Sequence, residues 1–300
     1  MPAPSAPAPL AIDAAAVSAW HRIAPSSPAW LHGEVARRMA DRLAIVRKQP
    51  QQVLDWWSGQ GASIELLRAQ YPQASIVAVE PTAARAASLS QARRAPWWSL
   101  ARWSGAAAAV VDEAGLDPAR PADLLWANMM LHWAVDPVEQ MQRWQRALGA
   151  DGFLMFSCFG PDTLRELRAL YAERGWGPPN TAFTDMHDLG DMLVHAGFAD
   201  PVMDMEYLTL SWESPAAMLG ELRTLGRNAH PARYPGLRTP AWKAELLRAL
   251  QAGSEERPAM RFEIIYGHAF KAPPRAKVGE ETRVSLADMR SMVRSGKARD

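Results

Sequence analysis

Val53-Leu-Asp-Trp-Trp-Ser-Gly59-Gln-Gly61 and Ser75-Ile-Val-Ala-Val-Glu80 decide the fold. Each is an apolar run of strand length. The first ends in a glycine-bearing turn leading to a helical stretch, Ser63 to Gln70, and the second ends in an acid. Strand, glycine turn, helix, strand and acid, in that order, open a doubly wound α/β sheet. Glycines let the backbone approach a ligand closely, and a carboxylate at the tip of the second strand can accept hydrogen bonds from both hydroxyls of a ribose. Glu80 follows Gly61 by 19 positions, a spacing that suits a nucleoside site, although a Gly-x-Gly turn and an acid after a strand also occur in ordinary loops.

Outward from these runs the alternation continues. Leu31 to Arg47 predicts an opening helix, with Val35, Met39, Leu43 and Val46 on one face. Thr82 to Arg93 follows the second strand as a helix, Ala107 to Val111 is a third strand, and Asp123-Leu-Leu-Trp-Ala-Asn128 a fourth. Val138 to Leu148 is a helix, and Gly152 to Cys158 a fifth strand entered through a Gly149-Ala-Asp-Gly152 turn. Helical stretches at 161–173, 185–197 and 215–226 and strands at 202–210 and Arg261 to Phe270 come next; the helices are expected to cap the carboxyl ends of the strands. The resulting division is a flexible leader (1–10), an α/β core with N-terminal helices (11–160), cap helices and final strands completing the same domain (161–271) and a polar tail (272–300).

Composition narrows the function. With 33 Lys and Arg against 32 Asp and Glu, the net charge of +1 provides no global field for nucleic acid, so an acidic partner must meet a local basic face. The single cysteine, Cys158, cannot form an internal disulfide, and no signal-peptide pattern or run of 18 apolar residues occurs, so a cytoplasmic protein with no membrane span is expected. Thirteen tryptophans, among them Trp56-Trp57 and Trp97-Trp98, read as packed core. His132, His187 and His195 are spaced unlike a metal set and read as structural.

Val53-Leu-Asp with Gly59 and Gly61, Val79-Glu80, Asn128 and Ala147-Leu-Gly-Ala-Asp-Gly-Phe153 resemble the core of class I S-adenosylmethionine-dependent methyltransferases. Trp126-Ala-Asn-Met-Met-Leu-His-Trp133, Phe156 to Arg168, Asp185 to Phe198 and Ile265-Tyr-Gly-His-Ala-Phe270 are similar to the malonyl-acyl-carrier-protein O-methyltransferases of biotin synthesis, a likeness spanning residues 30–271. The resemblance implies S-adenosylmethionine as cofactor, held by Asp55, Gly59, Gly61, Glu80, Asp112 and Asn128, and methyl transfer to the free carboxylate of malonyl-acyl-carrier protein.

For the acceptor, Arg223 is the candidate cation and Trp133 the candidate wall of the transfer chamber; alternatively they are a solvated arginine and a core tryptophan. Two basic faces could receive the acidic carrier: Arg37, Arg38 and Arg42, or Arg223, Arg227, Arg233 and Arg238 beside the cap, and the cap is favoured. The chain departs from the family at two points. Trp57 stands where the first glycine of Asp-x-Gly-x-Gly-x-Gly belongs, and only Asp112-Glu-Ala-Gly-Leu116 remains of the usual Asp-x-Glu-x-Leu-Pro segment. Besides an active methyltransferase, a cofactor-free assembly protein of the same fold and a protein-modifying relative of the complex I assembly factor type therefore stay open.

Overall fold

Strands covered on both faces are written in continuous apolar residues, and the centre of this sheet is of that kind. In the computed structural model, which describes residues 11–25, 27–93, 108–252 and 257–272, β1 (Gln52–Trp56) and β4 (Ala122–Ala127) pair in parallel, Val53 opposite Leu124 and Asp55 opposite Trp126. Outside β1 lie β2 (Ser75–Glu80) and β3 (Ala109–Asp112), both parallel, with Glu80 opposite Asp112 at their tips. On the other side β5 (Leu148–Phe159) is parallel to β4, and β7 (Ala259–Lys271) runs antiparallel between β5 and β6 (Phe198–Ser211). The seven-stranded order is β3-β2-β1-β4-β5-β7-β6. Chain direction away from the centre reverses between β1 and β4, which opens a crevice at their carboxyl ends.

Helices cover both faces. On one, α1 (Ala14–Ile23), α6 (Pro137–Ala147) and α8 (Met186–His195) bury Trp20, Trp144 and Leu193 against a core that includes Leu54, Trp56 and Phe156. On the other, α2 (Trp30–Arg42), α4 (Ile64–Gln70), α7 (Arg165–Glu173), α9 (Pro215–Leu225) and α10 (Pro240–Ala252) bury Val35, Leu67, Leu167, Met218 and Leu246 with Val53, Phe153 and Phe262. The short α3 (Ser58–Gly61) follows β1, and α5 (Ala83–Ala92) follows β2. Local chemistry sets the helix starts: Asp136 and Ser214 accept a backbone N–H as N-caps, each followed by a proline with its φ already fixed. Among the described residues no helix is long and apolar enough to cross a membrane.

The strand–helix alternation follows the sequence reading, with displaced boundaries. The opening helix ends at Arg42 and continues only as a 3-10 turn, Leu43–Ile45. The expected Gly149–Gly152 turn lies inside β5, where Asp151 takes φ 57° and the pairing register jumps between Ala122 and Leu124. The stretch at 185–197, expected in the cap, is α8, which packs on β6 and α6 as part of the sheet's cover. α10 lies where no helix was placed, and α1 gives bounds to a helix that the reading of N-terminal helices leaves without them. The leader, the tail beyond Ala272, Ala107 of the third strand, and Trp97, Trp98 and Trp103 lie outside the described residues.

Candidate functional site

The carboxyl end of β1 carries the turn on which the sequence reading rests. Trp57 takes φ 53° and ψ 46°, so a tryptophan adopts the left-handed backbone that glycine ordinarily supplies. Its indole Nε1 donates to Glu113 Oε1 at 2.7 Å, and its ring meets His21 of α1 edge-on at 4.6 Å. The ring is thereby held across the strand tips toward the end of β3.

Glu80, at the tip of β2, is buried and accepts from the Gly59 N–H at 2.6 Å, with the Arg85 guanidinium at 3.6 Å. Burial pushes its carboxyl pKa upward against the opposing pull of the Gly59 N–H and Arg85. A Cβ on Gly59 would lie 3.0 Å from Glu80 Oε1, so a larger residue would crowd this contact. Asp55 is fully buried, and its pKa is raised to about 7 by burial, with Ser58 Oγ donating to it at 2.5 Å. Asp112 accepts from the Gly115 N–H and so caps the turn after β3.

Asn128, expected at the cofactor site, has its side chain engaged within the protein. Its amide donates to Gly61 O at 2.6 Å and His32 O at 2.8 Å, its Oδ1 accepts from Ser157 Oγ at 2.7 Å, and the residue has no exposed surface. It ties the β4 end to the Gly61 turn and α2.

Between the strand tips a hollow of only about 20 Å³ remains, bounded by Trp20, His21, Trp57, Glu80, Arg85 and Trp133. Across Trp57 and Trp133 lies a second hollow of about 370 Å³, reaching Thr82, Glu113 and Asp136. His21 and His32 are each depressed to a pKa of about 4 by burial, and the Nε2 of each has no partner.

A third cavity, of about 270 Å³, is enclosed by the β4-end turn and the cap. His132, Trp133, Phe159, Phe183, Leu222 and Leu246 are among its walls, and Arg223 and Arg227 stand exposed beside it. Trp133 borders this cavity and both strand-tip hollows, and stacks on Trp20 at 5.8 Å. Arg223 is thus on the cavity wall but among its solvent-facing residues. The ring of His132, read from sequence as structural, has neither nitrogen hydrogen-bonded.

The basic faces also separate. Arg37 pairs with Glu34 and Asp41, Arg38 with Glu34 and Glu206, and Arg42 with Asp204, so the α2 cluster is an ion-pair ladder holding α2 to β6 rather than a free basic face. In the cap, Arg233 pairs with Asp13 at 2.7 Å, and Arg238 lies over the rings of Tyr234 and Trp242. Arg223 and Arg227 have no ion-pair partner among the described residues.

Sequence reasoning gave no bounds to α1, which brings Trp20 and His21 to the strand tips, and missed α10, which walls the cap cavity with Trp242 and Leu246. Capping chemistry marks both: Asp13 accepts from the N–H groups of Ala15 and Ala16, and Thr239 precedes Pro240.

Known proteins are similar to this chain in sequence and in fold. A family described as a methyltransferase domain matches residues 29–200. The solved YcgJ protein of Bacillus subtilis superposes with a TM-score of 0.53 at 12% identity, covering 79% of this chain and 98% of that one, a likeness of fold alone. The malonyl-[acyl-carrier protein] O-methyltransferase of Laribacter hongkongensis is 37% identical over 259 residues, 83% of this chain and 86% of the relative. That of Gallionella capsiferriformans is 36% identical over 248 residues, 82% and 85% of the two chains. With this identity sustained over most of both partners, the chain belongs to the malonyl-[acyl-carrier protein] O-methyltransferase family.

Proposed function

We propose that this chain binds S-adenosylmethionine at the strand tips and methylates the free carboxylate of a malonyl group borne by an acyl-carrier protein. The observation that carries the reading is the place of Trp133, which separates the hollow beside Glu80 from the cap cavity. Two ligands approaching from those sides would meet at this indole.

The residues at the strand tips suit the cofactor. Glu80 is a buried carboxylate with a raised pKa, an acceptor for a ribose diol, and Asp112 stands opposite it on β3. Space is provided by Trp57. Trp57, His21, Pro81 and Trp133 border both the hollow of about 20 Å³ and the one of about 370 Å³, and turning the Trp57 ring out would enlarge a space already within the range of small-molecule sites, roughly 300–1,000 Å³. The cofactor supplies an electrophilic methyl group on a sulfonium. That methyl would pass to a malonyl carboxylate oxygen, the sulfonium leaving as the neutral thioether, and because the carboxylate is already ionised at neutral pH no residue of this chain would have to act as a general base. What remains for the protein is orientation, which can contribute up to about 7–11 kcal/mol. Trp133, Phe159 and Phe183 exclude water from the meeting point, and Arg223 and Arg227 offer positive charge to the anionic acceptor.

Calorimetric titration with S-adenosylmethionine, paired with a methylation assay on malonyl-acyl-carrier protein, tests the reading. Binding is expected to weaken by about 1.5–3 kcal/mol in Glu80→Ala. Absence of binding to the unmodified protein at millimolar ligand rejects it.

A further inference from the structure

Buried polar atoms are almost always hydrogen-bonded, and those that are not mark strain or a missing partner. Three residues lining the cap cavity carry such atoms: Trp242 Nε1 on α10, Asn180 Oδ1 in the loop after α7, and both ring nitrogens of His132 after β4. Each is fixed by its surroundings. Asn180 Nδ2 donates to Thr181 O, which turns Oδ1 away from that carbonyl. Trp242 is wedged edge-on between Tyr171 and Trp176 at 6.1 and 5.3 Å and lies under the Arg238 guanidinium. His132 sits against Phe159 at 4.6 Å and Phe183 at 5.9 Å.

Their chemistry is complementary in kind. The indole is a donor only, the amide oxygen an acceptor only, and a neutral imidazole offers one of each. Much of the remaining wall is apolar, with Phe159, Leu219, Leu246 and Phe262, while Thr163, Thr181 and Lys243 also line it. A ligand that satisfies this set is a slim chain in which amide groups alternate with methylenes: one carbonyl for Trp242, one N–H for Asn180, and a carbonyl or carboxylate oxygen for His132. Arg223 and Arg227, which line the cavity and have no ion-pair partner among the described residues, add a requirement for an anion at the solvent end.

We propose that the cap cavity is the binding site for the phosphopantetheine arm of the acceptor, with Trp242 and Asn180 holding its two amides, His132 meeting the malonyl thioester head, and Arg223 and Arg227 facing the phosphate. The assignment rests on the acceptor class proposed above and gives that acceptor a route. The arm enters past the cap arginines and ends at His132, whose neighbour Trp133 borders the strand-tip hollow. His132 acts as a neutral donor that positions the head, since a carboxylate nucleophile needs no base.

The test uses the full chain and two probes that separate the arm from the reaction. Pantetheine 4′-phosphate, which carries the arm without the malonyl group, is titrated by calorimetry; S-ethyl malonyl thioester, which carries the head without the arm, is assayed for methylation. The unmodified protein is expected to bind pantetheine 4′-phosphate, and Trp242→Phe and Asn180→Ala each to bind it roughly three- to tenfold more weakly, the effect of losing one neutral hydrogen bond. His132→Phe is expected to raise KM for the short thioester, and His132→Gln, which keeps an N–H donor, to restore it. If Trp242→Phe does not fold, Asn180→Ala, which alters only the loop, carries the measurement. No binding of pantetheine 4′-phosphate at millimolar concentration, or equal affinity in folded variants, overturns the arm site. Binding of pantetheine 4′-phosphate without methylation of S-ethyl malonyl thioester or of malonyl-acyl-carrier protein leaves the arm site standing and removes the activity.

Discussion

At the scale of single residues, Trp57 concentrates the tension between local cost and packing. A side chain in the left-handed region costs about 1–2 kcal/mol, which a glycine would not incur. The indole offsets that cost by being only 8% exposed and by donating to Glu113. Trp57→Gly should therefore destabilise the fold by about 1–3 kcal/mol, less than the roughly 3–5 kcal/mol of a typical buried tryptophan truncation, because the backbone strain is relieved at the same time. The same change should tighten S-adenosylmethionine binding, since the ring no longer has to leave the crevice. Urea melts read the first effect and calorimetry the second; weaker cofactor binding in a folded variant would mean that the indole is itself a contact. That tryptophan replaced glycine was plain in the sequence. That the backbone kept the glycine conformation was not, because residue type fixes φ only through what the surroundings compel.

Among elements, the seat of α9 on Trp133 is the sharpest constraint. A Cβ on Gly226, just past the helix, would lie 2.2 Å from Trp133 Cζ2. Gly220, inside α9, has nothing within 4 Å of its added Cβ. Gly226→Ala should cost about 1–3 kcal/mol and reduce methylation by displacing the indole, whereas Gly220→Ala should be neutral or stabilising by up to about 1 kcal/mol. Denaturant midpoints of the pair measure the contrast, and a Gly226→Ala protein as stable and active as its parent contradicts the close seat. The same elements show what the sequence could convey. β1, β2 and β4 were legible because double-sided burial leaves unbroken apolar runs such as Val53-Leu54 and Leu124-Leu125-Trp126. α1, with its run of Ala14, Ala15 and Ala16, lacks a broad apolar stripe, and its burial rests chiefly on Val17 and Trp20. The cap cavity was illegible for another reason: its walls come from the β4 turn, α7, the loop at 179–183, α9, α10 and β7, and no local pattern brings such segments together.

For the whole molecule, a net charge of +1 makes partner choice a matter of local fields. The ion pairs of the α2 arginines and Arg233, and the stacking of Arg238 on Tyr234 and Trp242, leave Arg223 and Arg227 as the cap arginines with no ion-pair partner among the described residues, and these are the ones proposed to meet an acidic carrier. Surface charges act mainly on association rate. Arg223→Glu combined with Arg227→Glu should slow association with malonyl-acyl-carrier protein by roughly tenfold at low ionic strength, and the deficit should shrink as the Debye length falls to about 3 Å near 1 M salt. Stopped-flow association across a salt series decides it; a deficit independent of salt would show that the arginines act by shape.

The antiparallel β7 has a further consequence, for the order in which the chain is made. Among the described residues β6 is bonded in the sheet only to β7, and β7 also separates it from β5, yet β7 spans residues 259–271 and leaves the ribosome after both. For that interval the far edge of β5 and the whole of β6 are synthesised without their neighbour, while β1 to β4 already have theirs. Unpaired edges invite pairing with other chains, and contacts distant in sequence form late. The half of the sheet that supports the cap is thus the half that a nascent chain must keep from aggregating until β7 arrives.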